Sequence, residues 1–303
     1  MSEFMPLIDA HHHFWDPVSK RSGIGYQWLR DIGAPKPFGD PTPIQRDYLL
    51  DEFRSESEHE LIGSVHVQVD GALPDPVAET RWLDALANEH GLPSAVVALA
   101  DLSQDDAPAV IERHLAASTR LRGIRHIVAR TEGRSDISFA PTEWLDDPLW
   151  RRNFARLAEY GLSFDLQLHP AQMERAADLL SENEDVPVVI DHAGSPHDRS
   201  AKGLEAWHGG MARLAALPHV DCKLSGLGMF DGDWTADTMR PVIDGVLDLF
   251  GPEGTMFGSN FPVDKLFGSY DRIVNAIMSV IDARGEDADA VFRRTASRAY
   301  RLG

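Results

Sequence analysis

Val186-Pro187-Val188-Val189-Ile190 runs almost unbroken through apolar, mostly β-branched residues and then turns polar at Asp191-His192-Ala193-Gly194. A short run of this kind is a buried strand, and its polar end marks where the chain leaves the core. The pattern recurs. Counting this one as Val186–His192, eight such runs stand along the chain, the others being Leu7–His13, Leu61–Val69, Ser94–Ala100, Gly123–Ala129, Leu162–Leu168, His219–Leu224 and Thr255–Asn260. Helical patterns alternate with them at Ile44–His59, Asp75–His90, Ala107–Arg120, Asp147–Tyr160, Ala171–Asn183, Leu204–Leu217, Thr238–Phe250 and Tyr270–Ala283. Regular strand–helix alternation predicts parallel strands joined by crossover helices. Eight units make an α/β chain of the (β/α)8 TIM barrel type. A doubly wound open sheet would normally show a glycine-rich turn after its first strand, and none is present.

Local signals agree with that reading. Asp75-Pro76 and Asp147-Pro148 put proline at a first helical position, and Gly91, Gly161 and Gly251 each close a helix. Two segments break the rhythm. Residues 16–43 are rich in proline and glycine and carry Tyr26 and Trp28, and residues 130–146 follow the fourth strand. In a barrel, loops after strands overhang the C-terminal mouth, where active sites sit. The expected organisation is one barrel domain over residues 1–303, with 16–43 and 130–146 as insertions at that mouth.

Composition removes several function classes. The 303 residues carry 29 basic and 48 acidic side chains, a net charge of −19, which speaks against nucleic-acid binding. Hydrophobic residues at 43% and charged residues at 25% exclude a disordered chain. A single cysteine, Cys222, excludes an internal disulfide and cysteine-rich zinc sites and fits a reducing compartment. Residues 1–6 show no signal-peptide pattern, Met5 offers an alternative start, and no apolar run approaches the ~20 residues of a membrane helix. The expectation is a cytoplasmic protein with neither nucleic-acid nor membrane partners. A homodimer stays open, because a flat interface leaves no mark in a sequence.

Candidate site residues follow from strand ends. Alternate residues of a strand share a face, so Asp9, His11 and His13 are expected on one side of the first strand and Ala10 and His12 on the other. His11 and His13 can then both reach a barrel mouth, and neutral imidazole binds zinc and similar metals. His192 ends the sixth strand. On the second strand His66, Gln68 and Asp70 alternate with valines, which is too polar for a dry core and points Gln68 at a cavity. Asp165, Gln167 and His169 share a face on the fifth strand, with His169 either at the site or beyond it. Lys223, on the seventh, must be paired inside the barrel or touch an anionic substrate. Arg125, near the end of the fourth, suits a carboxylate or lactone carbonyl, against the plainer reading of an ion pair.

In their order, Ile8-Asp9-Ala10-His11-His12-His13-Phe14-Trp15-Asp16-Pro17, Tyr26-Gln27-Trp28-Leu29, Arg122-Gly123-Ile124-Arg125-His126, Phe164-Asp165-Leu166-Gln167, Ile190-Asp191-His192-Ala193-Gly194, Cys222-Lys223-Leu224-Ser225-Gly226-Leu227 and Met256-Phe257-Gly258-Ser259-Asn260-Phe261-Pro262 carry a resemblance over nearly the whole chain. The chain resembles the second family of the amidohydrolase superfamily. Within it the group of L-fuconolactonase, L-rhamnonolactonase, sulfomuconolactone hydrolase and 2-pyrone-4,6-dicarboxylate lactonase is the most similar. The resemblance implies a barrel hydrolase that opens small lactones. It maps the family's paired histidines onto His11 and His13, its strand-six histidine onto His192 and its strand-four arginine onto Arg125. Some members are similar to zinc hydrolases, and the pyrone lactonase works without metal. The departure is Asn260, where the family usually carries an aspartate that ligates metal and serves as general base.

These expectations combine into a mechanism. His11, His13 and His192 hold one divalent metal ion, zinc by preference, around a water whose pKa the metal lowers. Asp264 folds back as the base in place of Asn260, and its replacement by Asn is then expected to cost at least about a hundredfold in turnover. Arg125 and Lys223 bind the carboxylate or oxyanion, Gln68 and His169 contact the small-molecule substrate, and Trp28 and Tyr26 cover its ring. Metal-free lactone opening, decarboxylation on the same barrel, and binding without catalysis stay open beside it.

Overall fold

Eight short parallel strands are present: β1 (Pro6–His12), β2 (Glu60–Val67), β3 (Ala95–Leu99), β4 (Leu121–Arg125), β5 (Ser163–Leu166), β6 (Val188–Ile190), β7 (Val220–Leu224) and β8 (Thr255–Phe257). They pair in sequence order from β1 to β8 in this computed structural model, which describes residues 5–303. The sequence reading of residues 1–4 lies outside the described residues. Beyond the strand ends the circle closes: Asn260 N–H donates to the His11 carbonyl at 2.7 Å, and His13 N–H donates to the Phe261 carbonyl at 2.8 Å. The architecture is a (β/α)8 barrel.

Most helices follow expectation, among them Val77–His90, Ala107–Ala117, Ala201–Ala215, Ala236–Phe250 and Tyr270–Arg284. Asp147 caps Pro148–Ala155 by accepting from the backbone N–H groups of Leu149 and Trp150. The stretch 44–59 differs. Only a 3-10 turn at Thr42–Ile44 and a short helix at Leu50–Arg54 form there. Tyr48 pairs its backbone with Trp15 instead, so a tertiary strand contact overrides the helical pattern. A closing helical segment at 290–299 was not expected. It packs across β1 and β8 and brings Tyr300 into the barrel interior.

Inside the barrel, Ile8, Ala10, Val65, Val67, Ala95, Val97, Val189, Met256 and Tyr300 form an apolar floor. Phe164, Leu166, Val188, Ile190, Leu224 and Phe257 face outward into the larger core under the helices. The expected alternation fails on β1. A register shift between Asp9 and His12 breaks the two-residue period. Asp9 therefore points outward, accepting from the Tyr270 hydroxyl at 3.0 Å and from the Ser259 N–H at 2.9 Å. Ala10 and His11 both lie inside, while His12 stacks on Phe53 with ring centroids 4.3 Å apart. On β2, His66 likewise packs outside, against His12 and Phe14, and Gln68 reaches the mouth only because the strand has ended at Val67.

Candidate active site

Above the apolar floor lies a charged layer in which Lys223, Asp165 and Asp191 are fully buried. Lys223 donates to Asp165 Oδ2 at 2.5 Å and forms an ion pair with Asp191 Oδ1 at 3.0 Å. The Tyr300 hydroxyl donates to the same Asp165 oxygen at 2.8 Å. Arg125 Nη1 meets Asp191 Oδ2 and Gln167 Oε1, both at 3.2 Å, and Nη2 donates to the Gln68 carbonyl at 2.7 Å. Two acids thus face two bases in a dry interior, which is how buried charge is tolerated. Asp191 is the hub. Burial alone would raise its pKa, but Lys223, His11 and Arg125 outweigh it and hold the group well below the usual carboxylate range.

Three imidazoles stand on this layer. His11 Nδ1 faces Asp191 Oδ1 at 3.1 Å, His13 Nδ1 donates to the Val67 carbonyl at 2.7 Å, and His192 Nδ1 faces Ser225 Oγ at 3.0 Å. Each ring is anchored through Nδ1, with Nε2 of His11 facing Arg125 Nη1 at 3.5 Å and Nε2 of His13 facing Asn260 Oδ1 at 3.4 Å. Burial, and for His13 the neighbouring Arg125, keeps all three far below the ordinary imidazole range. The backbone past β6 and β8 is unusual too: His192 (φ +56°), Ala193 (φ +50°), Ser195 (φ +51°) and Asn260 (φ +55°) are all left-handed, a conformation that costs energy and collects at functional sites. Gly226, at φ +60°, lies directly against the His192 ring, and a Cβ there would collide with Nδ1.

The layer forms the bottom of a cavity of about 420 Å³ at the C-terminal mouth. His13, Arg125, Gln167, His192, Asn260 and Gln68 line its inner end. Both polar ends of the Gln68 amide are buried without a partner, and so is Arg125 Nε. Trp28, Lys36 and Phe38 come from the first insertion, and Phe139, Ala140, Pro141 and Trp144 from the second. Trp15, Asp70, Asp101, His126 and Met229 also line it.

Several expected contacts need correction. Tyr26 is fully buried, with its hydroxyl donating to Glu79 at 2.9 Å, so it braces the first insertion and does not line the cavity. Lys223 is consumed by its carboxylates below the cavity. His169 bonds Thr131 Oγ1 through Nδ1 at 2.9 Å and lies against Phe139 and His197, off the cavity wall. Asp264 does not fold back into the mouth. It is buried behind Asn260, whose Nδ2 donates to it at 3.1 Å, and burial pushes its pKa up to about 7. Asn260 itself faces the cavity and places Oδ1 3.4 Å from His13 Nε2. The sequence reading assigned no role to Asp191, Trp144 or His126. Asp191 precedes His192 at the same strand end, which was its available signal. Trp144 sits in an insertion whose path no periodicity defines.

The imidazole donors fit a divalent ion, because rings fixed through Nδ1 present Nε2 as ligand atoms. His11, Asp191 and His192 bring ligand atoms within 4.8 Å of one another. His13, expected as the third ligand, stands outside that group, with its free nitrogen at Asn260.

Known proteins resemble this chain over nearly its whole length. The amidohydrolase family matches residues 8–302. An uncharacterized protein of Sinorhizobium fredii is 36% identical over 98% of both chains. The L-fucono-1,5-lactonase of Burkholderia multivorans is 32% identical, over 97% of this chain and 96% of its own. A crystal structure of a Burkholderia multivorans amidohydrolase with bound zinc superposes with a TM-score of 0.79 at 29% identity, covering 98% of this chain and 99% of that one.

Proposed function

This chain belongs to the amidohydrolase family, and from that premise we propose that it is a hydrolase opening a small polar lactone at the barrel mouth. The observation that carries the reading is the convergence of the Arg125 guanidinium, the His13 and His192 rings and the unpartnered Gln68 amide on one cavity. The lactonase activity named for the Burkholderia multivorans relative supports it. A carbonyl oxygen placed against Arg125 gains the free Nε–H as a donor, and the negative charge developing there is met by a fixed cation. His13 is neutral with its Nε2 lone pair toward the cavity, so it accepts the proton of the attacking water. Water oxygen bonds to the carbonyl carbon, the ring C–O bond breaks, and His13 returns the proton to the departing alkoxide. The Asn260 carbonyl, held by Asp264, faces the imidazolium formed between those steps. Asp264 thus acts through Asn260 as a positioning residue. A divalent ion, zinc in this reading, would be held by His11, His192 and Asp191 and supplies Lewis acidity when bound. A single buried cysteine suits a cytoplasmic enzyme and completes the reading.

The test is a panel of sugar lactones, L-fucono-1,5-lactone included, followed by acid release, on protein whose metal content has been measured. Opening of at least one lactone is the expected result. Failure to open any, before and after zinc is added, overturns the proposal, and carbon dioxide release from an aromatic acid would point to decarboxylation instead.

A further inference from the structure

One wall of the cavity holds a histidine whose hydrogen position is dictated by its neighbours. His126 Nδ1 lies 3.2 Å from the backbone nitrogen of Leu102 and 3.2 Å from the indole Nε1 of Trp150. Both are N–H groups that can only donate, so Nδ1 must present a lone pair. The proton of the neutral ring is therefore on Nε2. Burial lowers the pKa of the ring despite the Asp101 carboxylate nearby, which favours that neutral form. The Asp101 oxygens are already taken by the Ser103 N–H and hydroxyl and by the Gln104 amide. Nε2–H has no acceptor among the described residues, and the ring lines the cavity. Trp144 adjoins it on the same wall, with ring centroids 5.4 Å apart, and its indole N–H is buried without an acceptor.

Two neutral N–H donors left unpaired beside one cavity are a recognition element waiting for an acceptor. We propose that His126 is a specificity-determining residue. Its Nε2–H, with the Trp144 indole N–H beside it, binds an oxygen of the lactone's ring substituents, distinct from the carbonyl that Arg125 takes. This rests on the lactone reading above. A substrate carrying hydrogen or methyl at that position leaves both donors dry and is rejected, whereas one carrying oxygen is accepted. The donor is set by the Leu102 and Trp150 N–H groups, so recognition needs no charge on the ring.

The experiment compares His126→Phe and His126→Gln with the wild-type protein on the lactone panel. Phe keeps a ring and removes the donor, and Gln restores an N–H. The expected result for Phe is a KM raised roughly ten- to hundredfold on the best lactone, with a much smaller change in kcat, and partial recovery in Gln. Trp144→Phe, which removes the indole N–H together with the five-membered ring that carries it, is expected to shift KM in the same direction and stands in if His126→Phe does not fold. KM within about twofold of wild type in these variants overturns the proposal. A second readout does not need turnover. Nitrogen spectra of the histidine rings should show His126 in the Nε2–H form, and its resonance should move on addition of L-fucose, a cyclic polyol that is not hydrolysed. If lactones are opened while that resonance stays still, this inference fails alone. If no lactone is opened, the functional reading fails, and a shift of the resonance with L-fucose still supports His126 as a donor to ring oxygens.

Discussion

Arg125 carries the largest share of the site's chemistry because several of its donors are spoken for and Nε is left free. Lysine cannot reproduce that fork. Arg125→Lys is expected to lower kcat/KM by about a hundredfold with the fold intact, as read by steady-state kinetics beside circular dichroism. Asp264 is a different case. Its folded pKa is raised from 3.8 to about 7, so its favourable contribution is present at low pH and is lost as pH rises through 7. Asp264→Asn removes that penalty. Its Tm should gain on the wild type at pH 8 compared with pH 5, and turnover should fall by less than about tenfold because the group acts through Asn260. A hundredfold loss in turnover would return Asp264 to the role of base that the sequence reading gave it.

At the scale of elements, the site depends on how strands end. β6 stops at Ile190, and the next residues pass through left-handed backbone that turns His192 inward. β7 stops at Leu224, and Ser225 and Gly226 form the seat for that ring. Gly226→Ala places a methyl group against Nδ1 and must move the imidazole. A displacement of about 1 Å costs on the order of a hundredfold in rate, so kcat/KM is expected to collapse while the thermal transition remains cooperative. Gly258, just past the end of β8, plays the matching part for His11 of β1: a Cβ added there would sit 2.7 Å from that of His11.

The whole molecule holds buried groups that pull its pH dependence in opposite directions. Asp9, at about 6, Glu79, at about 8, and Asp264 are buried carboxyls with raised pKa values, so stability falls as pH rises through their folded values. His66, pushed down by burial to about 3, and His114, to about 4, are buried neutral rings. The unfolded chain protonates such rings below 6.5, so their burial costs stability as pH falls under that value. With His11, His12, His13 and His192 also held low by burial, the lowered histidines outnumber these carboxyls below pH 6.5, and above it the decline comes from Asp264 up to about pH 7 and from Glu79 up to about pH 8. The expected Tm therefore peaks near pH 6.5 and declines toward pH 8 and pH 4.5, measured by calorimetry in buffers of constant ionic strength.

Eight apolar runs in strict alternation with helices were enough, from the sequence alone, to specify the barrel, because strand and helix periods are local properties of the chain. The same strand ends named His11, His13, His192, Arg125 and Gln68 as site residues. Whether Asp9 faces in or out was not legible, since a register shift between β1 and β2 breaks the period that the reading relied on. The helix expected at 44–59 gave way to a pairing with Trp15, a contact made across the chain. Asp264 illustrates the limit most clearly. It stands four residues beyond Asn260, and only the closed barrel decides that the amide faces the cavity and the carboxyl lies behind it. The state of His126 likewise depends on N–H groups from Leu102 and Trp150, 24 positions away on either side. Local pattern determines which elements form, and long-range packing determines which face, charge and hydrogen each side chain presents.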